Sequence, residues 1–174
     1  MSALSLSVNR WRNIVNQTYD FDLQYHYRFN EKDASLEVIP RDDAVPKAFF
    51  APNAEIICLT GKNGSGKSGV MSLLNLASSQ LYLHKWVGDK REAMACNFTY
   101  IFSKNNQIYV VKVARGRVIN LWCVSEPSVR HEKVTLPCEA TEKTPAANIW
   151  YYASNNIQLT ISGSKISRHD LSIA

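Results

Sequence analysis

The sequence predicts a β-rich α/β fold in which one strand–loop–helix unit is set among antiparallel strands. Three observations carry that prediction. Residues 61–68 read Gly61-Lys62-Asn63-Gly64-Ser65-Gly66-Lys67-Ser68, a complete G-x-x-x-x-G-K-[ST] phosphate loop. Directly after it, Val70, Leu73, Leu74, Ala77 and Leu81 recur at helical spacing. Several other segments, among them Leu4 to Val8, Phe21 to Phe29 and Phe98 to Phe102, alternate apolar and polar residues with a period of two, the mark of half-buried strands. Together these point to a phosphate-loop NTPase lobe with an antiparallel β subdomain and one main helix.

Taken in order, Leu4, Leu6 and Val8 alternate with Ser5, Ser7 and Asn9, predicting a first strand. Phe21, Leu23, Tyr25, Tyr27 and Phe29 predict a longer one, closed by the turn Asn30-Glu31-Lys32-Asp33. Ser35 to Ile39 predicts a third, ended by Pro40. The stretch from Arg41 to Asn53, with Pro46 and Pro52, reads as a loop. The apolar run Ile56 to Leu59 then suits a strand buried on both faces, with Cys58 inside it. Beyond the phosphate-loop helix, Phe98 to Ser103, Ile108 to Ala114 and Arg117 to Val124 predict an antiparallel meander with turns at Lys104–Gln107 and Arg115-Gly116. Glu132 to Leu136, Ile149 to Ala153 and Ile157 to Ile161 read as shorter strand pieces. The organisation expected is a single lobe: antiparallel strands over 1–54, strand–loop–helix over 55–86, meander over 97–124, and an irregular segment with strand pieces over 125–174.

At 174 residues, 45% apolar and 20% charged, the chain is long enough for one domain with a sizeable core. No apolar run reaches the ~18 residues of a membrane span, and the opening residues lack a secretory apolar core. The expected setting is therefore cytoplasmic and without a membrane. Cys58, Cys96, Cys123 and Cys138 have no C-x-x-C spacing, which fits reduced thiols rather than a zinc site. The net charge of +5 permits contact with DNA.

The loop's residue types each have a chemical reason. Gly61, Gly64 and Gly66 let the backbone turn tightly around Asn63 and Ser65 and aim N–H groups at phosphate oxygens. Lys67 is the point charge for the β- and γ-phosphates, and the Ser68 hydroxyl is a ligand for Mg²⁺. The helix beginning there presents its positive end to the same anion. The implied cofactors are ATP and Mg²⁺.

The loop text resembles the G-x-N-G-[AS]-G-K-S form of the ABC-type ATPase superfamily. The first strand followed by Asn9-Arg10-Trp11-Arg12-Asn13-Ile14 resembles the opening of SMC-like and RecF-like members. That resemblance implies that Arg12 lies close to the nucleotide phosphates, that ATP is sandwiched against a second ATPase lobe or a second copy of the chain, and that the context is DNA repair or defence against foreign DNA. It also implies that the chain is the N-terminal lobe of a longer ATPase. Two family features are missing. Leu121-Trp122-Cys123-Val124-Ser125-Glu126-Pro127 mimics the acidic strand but has serine where the metal-holding aspartate belongs, and reads as a strand end. Leu159-Thr160-Ile161-Ser162-Gly163-Ser164 matches the signature only superficially and reads as a turn. By the same resemblance, Gln158 is a candidate for the Mg²⁺-sensing glutamine. Two other classes fit the loop: a small-molecule kinase, and a non-catalytic module that binds nucleotide without turning it over.

Overall fold

The computed structural model describes residues 2–45, 58–83, 94–125, 132–142, 148–152, 157–162 and 165–170. The elements run β1 (Ser2–Trp11), β2 (Ile14–Asp20), β3 (Tyr25–Asn30), β4 (Ser35–Pro40), α1 (Lys67–Leu83), β5 (Asn97–Lys104), β6 (Gln107–Ala114) and β7 (Arg117–Ser125), then β8 (Val134–Pro137), β9 (Glu139–Ala140), β10 (Asn148–Tyr152), β11 (Ile157–Ser162) and β12 (Lys165–Asp170). They form a six-stranded sheet in the order β2-β1-β5-β6-β7-β9 and two three-stranded sheets, β3-β4-β8 and β10-β11-β12.

The large sheet is covered on both faces, and the sequence of β6 shows why. Ile108 and Val110 point into one core, with Leu4, Tyr27, Leu36, Val38, Ile101 and Trp122, where the sheet β3-β4-β8 packs. Tyr109, Val111 and Val113 alternate into the other, with Leu6, Val8, Phe98, Phe102 and the α1 residues Val70, Leu73, Ala77 and Leu81. Each fully buried leucine contributes about 1.5–3 kcal/mol of transfer free energy. On β1, Leu4 and Leu6 serve opposite cores although they are two apart. A register shift between Ala3 and Ser5 rotates the strand there, and a second between Val8 and Arg10 brings Trp11 round to the α1 side.

The expected α/β class is not the one formed. Every strand pairing among the described residues is antiparallel, and α1 is the one long helix. A phosphate-loop α/β domain needs parallel strands joined by crossover helices. Here the strand-rich sequence closes hairpins and sheet-to-sheet corners, and a single strand–loop–helix signature does not outweigh that. Ile56 and Ile57, expected to open a buried strand, lie outside the described residues. Cys58 to Thr60 form no strand, and Cys58 is exposed rather than buried.

Other differences are local. Phe21–Phe29 is not one strand: Asp22 accepts from the Gln24 and Tyr25 amides, making a turn before β3. β2 escapes the alternation test because it is an edge strand whose Asn16, Gln17 and Thr18 are exposed. Ile157 to Ile161, expected as a strand piece, lie in β11 (Ile157–Ser162), which pairs on both sides, so the turn reading of Leu159 to Ser164 does not hold for Leu159 to Ser162. Among the described residues no helix is long and apolar enough to cross a membrane.

Candidate phosphate-binding site

The site forms where α1 begins against the β1–β2 turn. Trp11 and Ile14 are buried there, at 1% and 3% exposure. They seat on glycines: a Cβ at Gly69 would stand 3.1 Å from Ile14 Cδ1, and one at Gly66 would stand 3.1 Å from Ile14 Cγ1. Gly66 also has φ +93°, where side-chain-bearing residues are strained. These contacts bring the turn against the phosphate loop. A cleft of about 310 Å³ results, lined by Arg12 and Asn13 on one side and by the run from Asn63 to Gly69 on the other.

The loop is held by its own groups. The Val70 amide donates to Gly66 O at 2.9 Å, the first bond of the helix, and the Ser65 amide to Lys62 O at 3.2 Å. Lys67 Nζ donates to Gly61 O at 2.7 Å, to Lys62 O at 2.9 Å and to Ser65 Oγ at 3.4 Å. The ammonium is thus folded over the loop, with carbonyl partners that an arriving phosphate would replace. Ser68, in the first turn of α1, is exposed in the cleft. From the turn, Asn13 Nδ2 donates to Gly64 O at 2.9 Å. Arg12 has φ +50°, an uncommon backbone for a bulky residue, and its guanidinium carbon lies 5.1 Å from the centre of the Trp11 ring.

The described lining is cationic: Arg12 and Lys67, with no carboxylate. Elsewhere four described basic residues have acidic partners. Lys112 meets Glu31, Lys133 meets Glu37 at 2.7 Å, Arg41 meets Asp43 at 2.9 Å and His26 meets Asp20 at 2.7 Å. Arg41 is thereby pushed up and Asp43 held down, each chiefly by the bond to the other. At the loop end of the large sheet, Arg10, Arg115 and Arg117 are exposed and, like Arg28, Lys32 and Lys104 elsewhere, have no acidic partner among the described residues.

Burial pushes the Cys96 thiol up to about 12 and, with a contribution from Cys123, the Cys138 thiol to about 11. Both stay protonated near neutral pH, which makes them poor nucleophiles. No group of three or more His, Cys, Asp or Glu residues able to hold a metal occurs among the described residues. A Mg²⁺ ion here would depend on Ser68, phosphate oxygens and water, a donor set that Mg²⁺ accepts.

The sequence-predicted residues Arg12, Asn63, Gly64, Ser65, Gly66, Lys67 and Ser68 come together in this cleft, and Gly61 supports it by binding Lys67. Gln158 stands on β11, opposite Tyr152 and His169 in register. Glu126 lies outside the described residues. Sequence reasoning missed Asn13 as a site residue and Ile14 as the packing partner of the glycines. The clue was present: an asparagine closes the turn that already offered Arg12. No protein-family model, curated protein or solved structure matches this chain.

Proposed function

We propose that the cleft binds ATP with Mg²⁺. The observation that carries this reading is the meeting of Arg12 and Lys67 across a glycine loop at the start of α1. Backbone N–H groups, two cations and a helix N-terminus are the donors a triphosphate needs. Lys67 would exchange its loop carbonyls for β- and γ-phosphate oxygens, and Ser68 would hold Mg²⁺. Arg12 would face the γ-phosphate from the opposite wall. Attack by water on that phosphate needs a positioning group, which a second lobe or a second copy of the chain would bring.

The test separates ATP from ADP. Arg12→Ala should weaken ATP more than ADP, by about 1 kcal/mol or more, because the guanidinium matters where ATP has its extra phosphate. Arg10→Ala should leave both affinities unchanged. Calorimetric titration of both nucleotides into both variants decides it. Equal losses for ATP and ADP, or a larger loss from Arg10→Ala, would remove Arg12 from the site.

A second contact is favoured by the arginines at the same end. Arg10, Arg115 and Arg117 would meet the phosphate backbone of DNA, since the planar guanidinium suits phosphate and no described carboxylate neutralises it.

A further inference from the structure

We infer that Asn13 is a positioning residue for the phosphate loop, its side-chain amide occupying the Gly64 carbonyl and fixing the orientation of the Gly64–Ser65 peptide. This rests on the reading of the cleft as a nucleotide site. Asn13 lies in the two-residue turn between β1 and β2, and the turn is fixed from beneath by buried Trp11 and Ile14. Its Nδ2 donates to Gly64 O at 2.9 Å, across 51 residues of chain. The Gly64–Ser65 peptide is a planar unit, so its carbonyl and its N–H point in opposite directions. Fixing the carbonyl on Asn13 therefore also fixes where the Ser65 N–H points.

That peptide needs an anchor. Gly64 has φ +82°, and a Cβ there would meet nothing within 4 Å, so no neighbouring group presses on that side of its Cα. At the other end of the same peptide, the Ser65 N–H donates to Lys62 O at 3.2 Å, the long end of the normal range. Rotated the other way, the unit would turn a carbonyl oxygen into the loop and break the Ser65 N–H bond to Lys62 O. Asn13 opposes that rotation from outside the loop. Lys67 and Arg12 supply charge, whereas Asn13 supplies orientation.

Two variants test this. Asn13→Leu keeps the bulk and removes the donor, and Asn13→Ala removes both. The first readout needs no nucleotide. In ¹H–¹⁵N spectra the Gly64 and Ser65 amide signals should shift or broaden in both variants while those of β5 to β7 stay in place. A Ser65 signal unmoved in Asn13→Leu would overturn the inference, as would a turn that merely loses thermal stability. The second readout is affinity. Both variants should lose about tenfold for ATP and for ADP alike, since the Gly64 peptide belongs to the loop itself rather than to the γ-phosphate end. Binding of both nucleotides within about twofold of wild type would also overturn it. A wild-type chain that binds neither nucleotide would sink the nucleotide reading alone, and the Ser65 signal would still decide the role of Asn13.

Discussion

Gly66 carries two demands at once, a backbone at φ +93° and a side chain of Ile14 3.1 Å from where a Cβ would stand. Gly64 carries only the first, at φ +82° in open space. The pair separates backbone strain from crowding. Gly64→Ala should cost about 1 kcal/mol, from conformation alone, and Gly66→Ala distinctly more, because Ile14 must also give way. Urea unfolding of both variants measures this, and equal losses would mean that Ile14 does not pack on the loop. The residue scale is also where the sequence was most legible. The loop residues are recognisable because phosphate chemistry fixes both their types and their spacing. Asn13 was not, because its partner is a backbone carbonyl far along the chain, and nothing in the local pattern reports that.

At the scale of elements, legibility followed burial. β5 and β6 are buried along most of their length, so the alternation of β5 and the Val- and Tyr-rich run of β6 were visible, whereas β7 is buried only at Leu121 and Trp122. β2 is an edge strand with a polar middle, and its pairing with β1 is set by backbone hydrogen bonds that side-chain types do not announce. α1 was readable from its apolar positions, which tie the phosphate loop to the main core. Leu73 is fully buried on that face, whereas Met71 is 40% exposed. Leu73→Ala should therefore cost about 2–4 kcal/mol, and Met71→Ala within about 0.5 kcal/mol of nothing. Denaturant midpoints test both. A small loss at Leu73 would mean that α1 is not docked on the large sheet as described.

At the scale of the molecule, the sequence misled on class. A strand–loop–helix signature describes some thirty residues, while class is decided by how the strands pair, and among the described residues they pair antiparallel around one long helix. The charge distribution is likewise a property of the whole. Ion pairs on other surfaces leave Arg10, Arg115 and Arg117 at the loop end without described acidic partners. DNA binding through them should be weak, indifferent to sequence, and steep in salt, with a slope of about −3 in log affinity against log salt for roughly three phosphate contacts on duplex DNA. Fluorescence anisotropy over a salt series reads this, and tight binding that is flat in salt would contradict it. Calorimetric titration of ATP into wild type and Lys67→Ala decides whether the cleft is a nucleotide site. Wild type should bind ATP saturably, and the variant should lose at least about tenfold in affinity, ~1.4 kcal/mol. Equal affinity in the two proteins would contradict the nucleotide site.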